Sequence, residues 1–122
     1  MTESPDIETL VGTTEPEFAH ILSCVFGIRD HESRSYLVLL EHPGITVEEL
    51  ADILERDRSN VNRSLSALRE KGLVERERRL LDPGGYVYQY TAVDLPTAKT
   101  MLHDSLDEWA SAVHDAIDEF GG

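Results

Sequence analysis

The chain has a single cysteine, Cys24, only two lysines, and no apolar run approaching the roughly 20 residues that span a bilayer. One cysteine excludes an internal disulfide framework and any metal site built from cysteines alone. The opening stretch, MTESPDIETL, is acidic and lacks the basic and apolar regions of a secretory signal. These absences predict a soluble, cytoplasmic protein. No phosphate loop, nucleophile elbow or convincing acid–base pair is found. The expectation is therefore that the chain is not an enzyme and carries no cofactor.

Positive charge is also scarce, and its position is informative. The 122 residues hold 11 basic and 24 acidic side chains, a net charge of −13. Eight of the basic residues lie between Arg56 and Arg79, where only four acids accompany them, a net of +4. Everything outside that window has three basic residues (Arg29, Arg34, Lys99) and 20 acids, a net of −17. An acidic body with one basic stripe fits a surface that meets a polyanion. The acids are spread along periodic segments, unlike a disordered acidic tail. That spread predicts a halophilic source, where molar salt screens the self-repulsion.

Hydrophobic spacing predicts a single domain over 1–122, mainly α with a small β-hairpin. Residues 1–13 have no periodicity and read as an arm or loose first turn. A first helix is expected over 14–27, with a Thr14–Glu17 capping box, an apolar face of Phe18, Ile21, Leu22, Val25 and Phe26, and a stop at Gly27. A second helix opens at Asp30 or His31, buries Tyr36, Leu37, Leu39 and Leu40, and ends at Pro43-Gly44. Thr46 and Glu49 form a capping box for a third helix with Leu50, Ile53 and Leu54 inward. Ser59 is the expected N-cap of a fourth, with Val61, Leu65 and Leu68 inward and Gly72 ending it. The period then switches to two. Leu73–Leu80, the turn Asp82–Gly85 and Tyr86–Thr91 read as a hairpin with three tyrosines on one face. A long helix from Leu95-Pro96 keeps apolar residues at steps of three and four to Phe120.

Helix, short turn, helix and hairpin is the order of a winged helix-turn-helix over 31–93. At about 100° per residue, the face of the fourth helix opposite Val61, Leu65 and Leu68 presents Ser59, Arg63, Ser66 and Glu70. Ser59, Asn60, Asn62, Arg63 and Ser66 are suited to base edges and phosphates. Arg63 is the foremost candidate for a base contact and Asn62 a candidate for adenine. Arg58 suits a phosphate beside the helix N-terminus. Arg76 and Arg78 share one strand face. That face either meets the duplex or carries a solvated cross-strand charge ladder, and both readings stay open. Arg56, Arg69 and Lys71 are read equally well as surface charges or as contacts. The predicted partner is double-stranded DNA. The alternative is a winged-helix protein-interaction module that never touches nucleic acid.

Two features concern oligomers and sensing. The final helix has a seam too long for one small domain to cover. Leu102, Leu106, Trp109, Val113 and Phe120 are the predicted dimerisation residues, with an intrachain hairpin of first and last helices as the competing arrangement. Cys24, between Leu22 and Val25, reads as a small buried hydrophobe. His103 with Asp107 and His114 with Asp118 have two-ligand spacing that arises often by chance, so no metal site is expected.

The stretch Thr46–Ala51, Val61–Leu65, and Leu68-Arg69-Glu70-Lys71-Gly72-Leu73-Val74-Glu75-Arg76 resembles winged-helix transcription regulators of the MarR, PadR and TrmB kind. That resemblance covers about residues 31–93 and implies the fold and DNA binding. The short acidic chain with its long final helix further resembles haloarchaeal oxidant-responsive regulators. This implies a homodimer, a palindromic promoter site, control of genes under oxidative stress, and binding in high salt. A regulator working in such salt cannot rely on counterion release, so inorganic cations are expected to bridge acidic side chains and phosphates.

Overall fold

The computed structural model describes residues 17–122. The readings of residues 1–13 and of Thr14 as a cap lie outside that range. The described chain forms α1 (Phe18–Phe26), α2 (Asp30–Glu41), α3 (Val47–Leu54), α4 (Arg58–Glu70), β1 (Val74–Leu80), β2 (Tyr86–Ala92) and α5 (Leu95–Glu119). This is a winged helix-turn-helix with one helix added before it and one after.

Local chemistry sets most of the boundaries. Gly27 closes α1 in the left-handed conformation at φ 70°. Thr46 and Glu49 form the expected reciprocal box, with Glu49 N–H donating to Thr46 Oγ1 at 3.2 Å and Thr46 N–H to Glu49 Oε1 at 3.0 Å. Gly72 ends α4 at φ 78°, letting Leu73 N–H reach back to the Leu68 carbonyl at 2.9 Å. Asp94 caps α5 by accepting from the Thr97 backbone N–H at 3.3 Å, and it also accepts from the Thr97 hydroxyl at 2.7 Å. Those Thr97 hydrogen bonds also hold the Asp94 carboxyl below its usual pKa.

The core gathers between the helices and the base of the hairpin. Leu22, Tyr36, Leu39, Leu50, Leu65, Leu68, Leu73 and Ala98 are fully buried. Tyr36 is more than filler, because its hydroxyl donates to the Val93 carbonyl at 2.8 Å and ties α2 to the end of the wing. Burial, with Asp94 a weaker contributor, pushes that hydroxyl up to about 12.

Two expectations are corrected, and one contact is new. Ile53 is 46% exposed, and α3 buries Leu50 and Ala51 in its place. An eight-residue helix has only a narrow inward stripe, and Ile53 lies outside it. Cys24 is exposed. The buried seam of α1 runs through Leu22 and Phe26, and a residue two positions from Leu22 is about 200° around the helix. Cys24 therefore points outward, with His20 Nε2 3.5 Å from its sulfur. Finally, the hairpin is joined by a bridge that periodicity did not reveal. Ile45 and Tyr90 exchange backbone hydrogen bonds of 2.8 and 3.1 Å. Gly44, at φ 79°, turns the chain into that bridge.

Candidate nucleic-acid interface

The recognition helix α4 is anchored by Val61, Leu65 and Leu68, so its outer face is fixed. Its start differs from the sequence expectation. Asp57 is the N-cap, accepting from Asn60 N–H at 3.0 Å, and the helix begins at Arg58. Asp caps as well as Ser, and only Asp57 has its carboxylate placed on an amide three residues on. Arg58 and Ser59 consequently occupy the first turn, where backbone N–H groups lack intrahelical partners.

Ser59, Asn62, Arg63 and Ser66 are exposed and Asn60 is half-buried. Arg63 donates to the side-chain oxygen of Asn60 one turn earlier. This fixes the direction of the guanidinium while leaving further donors for another acceptor. Arg58 lies 3.5 Å from Glu48 of α3, with both side chains well exposed. Such a pair contributes little and is easily exchanged for a phosphate.

In the wing, Arg76 and Arg78 each pack on a tyrosine of the facing strand. Strand register places Arg76 opposite Tyr90 and Arg78 opposite Tyr88. The guanidinium of Arg76 sits 4.0 Å from the Tyr88 ring centroid, and that of Arg78 sits 5.3 Å from Tyr86. Both arginines are exposed. Stacking on tyrosine holds a guanidinium in place without consuming its N–H edges.

One set of residues was not found from sequence. Arg29, His31 and Glu32, at the start of α2, line an open groove of about 550 Å³ together with Arg56 and the Asn60, Arg63, Ser66 face of α4. They lie outside the basic window in sequence, and only the fold brings them to it. A signal did exist, since Arg29 is one of just three basic residues outside the window. His31 has its pKa lowered, first by burial and then by Arg56.

The final helix presents a different surface. Ala98 and Leu102 are buried against their own chain. An apolar groove of about 440 Å³ lies beside them, lined by Phe18, Ile21, Val25, Leu102 and Leu106. Beyond it Trp109 is 65% exposed, Ile117 65% and Phe120 90%, with Val113 half-buried. Of the predicted dimerisation residues, then, Leu102 is already covered and the seam from Leu106 onward is not. Among the described residues no three His, Cys, Asp or Glu side chains gather around a common point. No described helix is long and apolar enough to cross a membrane.

Comparison with known proteins matches this arrangement. A family model described as "Sugar-specific transcriptional regulator TrmB" covers residues 22–96. The protein MJ1082 of Methanocaldococcus jannaschii is 37% identical over 89 residues, spanning 73% of each chain. A solved structure described as a possible transcriptional regulator from Methanosarcina mazei superposes with a TM-score of 0.74 at 25% identity, covering 84% of this chain and 87% of that one. TrmBL2, described as an archaeal chromatin protein with a novel mode of DNA binding, shares the fold at a TM-score of 0.59 and 23% identity, over 82% of this chain and 35% of that one.

Proposed function

The chain belongs to the TrmB family of transcriptional regulators, and on that premise we propose that it is a homodimeric, sequence-specific DNA-binding regulator from a halophile, controlling genes in response to oxidative stress. The observation that carries the DNA-binding reading is the exposed Ser59, Asn62, Arg63, Ser66 face of α4 on the same domain as the Arg76 and Arg78 wing. Arg63 and Asn62 read bases, Arg58, Ser59 and Asn60 hold the backbone at the helix start, Ser66 extends the contact, and the wing arginines follow the neighbouring groove.

The uncovered seam of α5 supports the homodimer. Trp109, Ile117 and Phe120 at these exposures form an apolar surface that a partner would cover. A two-fold pair places two recognition helices roughly 34 Å apart, matching a palindromic site with half-sites one turn apart. The net charge of −13 supports the halophilic reading. Glu48, Glu49, Asp52 and Glu55 lie on or beside α3, next to the recognition helix. In molar salt, cations bridging these carboxylates to phosphates offset the repulsion, and counterion release contributes less than in a dilute-salt regulator. The oxidative-stress reading rests on the resemblance of the short acidic sequence with its long final helix to oxidant-responsive haloarchaeal regulators, and the exposure of Cys24 is in keeping with it.

A genome-wide map of bound sites, taken with and without oxidant and with and without added sugar, tests the proposal. Palindromic sites whose occupancy changes with oxidant are expected. Occupancy that responds to sugar alone would replace the stimulus. An absence of enriched sites at native salt would favour the protein-interaction alternative.

A further inference from the structure

We propose that Arg29, His31 and Arg56 form a seat for one backbone phosphate of the duplex, at the edge of the recognition helix and apart from its base-facing side chains. The inference rests on the DNA-binding reading above and adds to that interface two residues, Arg29 and His31, that lie outside the basic stripe.

Three observations support it. First, the residues converge from separate parts of the chain. Arg29 is the residue before α2, His31 lies in its first turn, and Arg56 lies in the turn between α3 and α4. All three line the groove that Asn60 and Arg63 line from the other side. The strand bordering a major groove passes alongside an inserted helix at such an edge.

Second, the cations are unspent. Among the described residues the one carboxylate–guanidinium pair is Arg58 with Glu48, so no described carboxylate holds Arg29 or Arg56 in an ion pair. Three acids lie near by: Glu70 lines the groove from α4, and the other two are engaged. Glu32 accepts the Arg29 backbone N–H at 2.9 Å, and Asp30 accepts the Ser23 hydroxyl of α1 at 3.3 Å. The first-turn N–H groups of the 12-residue helix α2 add partial positive charge at the same place.

Third, His31 is poised to change charge when a phosphate arrives. Partial burial, Arg56 and Arg29 disfavour its cation, while Glu32 and Asp30 favour it. Arg63 and Glu70 face the groove from α4. The outcome is a pKa below the usual imidazole value, so the free protein holds His31 neutral near pH 7. A phosphate seated between Arg29 and Arg56 supplies negative charge and favours the imidazolium. Binding therefore takes up a proton, and affinity rises as pH falls.

The test uses the full chain at molar potassium chloride and a duplex that it selects from a randomised pool. Affinity is measured at pH 6 and pH 8, and proton uptake by calorimetry in two buffers of different ionisation enthalpy. The wild-type chain should bind several-fold more tightly at pH 6 with net proton uptake. His31→Gln should abolish both effects. Arg29→Ala and Arg56→Ala should each weaken binding by about tenfold on every sequence, without altering the preferred one. Arg29→Lys and Arg56→Lys, which keep the charge, should recover most of the loss and guard against misfolding of the alanine variants. Equal affinity at both pH values, with Arg29→Ala and Arg56→Ala unchanged, would overturn the seat. If Arg63→Ala loses the duplex in that same experiment, the DNA-binding reading survives without it. Tight binding of inorganic phosphate alone would also overturn the proposal, by making this a free-anion site. Failure to select any duplex would defeat the underlying reading itself.

Discussion

The recognition helix α4 and the final helix α5 are both amphipathic, and each leaves one face uncovered, but the uncovered faces are opposite in kind. In α4 the apolar stripe is fully used and the polar, arginine-bearing side is bare. In α5 the apolar stripe is used only as far as Leu102, and from Leu106 to Phe120 it is the greasy side that is bare. A bare polar face is at no disadvantage in water, so it signals a partner only when its residue types suit one. A bare apolar face carries an unfavourable solvation cost itself. The two uncovered faces thus suit different chemistry, a polyanion for one and an apolar protein surface for the other.

The sharpest way to break this contrast is to strip α4 and the wing of charge. Neutralising Arg58, Arg63, Arg76 and Arg78 together should reduce duplex affinity at native salt by more than about 100-fold, each charged contact contributing roughly 1.5–3 kcal/mol. The melting temperature should hardly move, because all four side chains are exposed. Intact affinity in a gel-shift titration would end the assignment.

The next largest effect should come from α5. Trp109→Glu with Phe120→Glu should convert a dimer to a monomer in sedimentation. Binding to a palindromic site should weaken by about 100-fold as the second half-site loses its tether. A double variant that still sediments as a dimer would place the two-fold contact elsewhere.

A smaller effect should appear within the core that holds both helices in place. Tyr36→Phe removes the hydrogen bond to the Val93 carbonyl and should lower stability by about 1–2 kcal/mol in chemical denaturation. Because the folded pKa of Tyr36 is raised to about 12, its contribution is complete below pH 10 and is lost as pH climbs through 12. The variant should lack that part of the alkaline transition.

The smallest expected change sharpens the contrast from within α4. Ser64 is buried on the inner side of the helix with its hydroxyl unpartnered. Ser64→Ala should raise stability by up to about 1 kcal/mol and leave duplex affinity alone. An affinity loss would mean that the buried side of the helix also sets how its outer side is presented.

Much of this molecule was legible in its sequence because short-range rules set it. The Thr46–Glu49 box, the Gly72 stop and the switch from period 3.6 to period 2 at Leu73 each depend on neighbours only a few residues apart. The exposed Ser59, Asn62, Arg63 and Ser66 follow from the same periodicity. What escaped depends on contacts between distant residues or on competition between equal local options. Arg29 and His31 reach the groove only when α2 packs on α4. The Ile45–Tyr90 bridge joins residues far apart in the chain, with no alternating pattern around Ile45 to announce it. Asp57 and Ser59 are both good caps, and only the geometry of the turn chooses between them. Cys24 was misplaced because α1 has an apolar composition on most sides, so the seam could be located only once Leu22 and Phe26 were seen to hold it.

The bridge has a mechanical consequence. Through Ile45 the base of the wing is stitched to the segment that launches the helix-turn-helix, and Tyr36 ties down the same base at Val93, just past the end of the strand. Hairpin stem and reading head therefore swing as one piece. On the DNA-binding proposal, such a piece cannot adjust to one groove without shifting in the next, which would make the distance between adjacent grooves something the protein gauges, in addition to the letters within them.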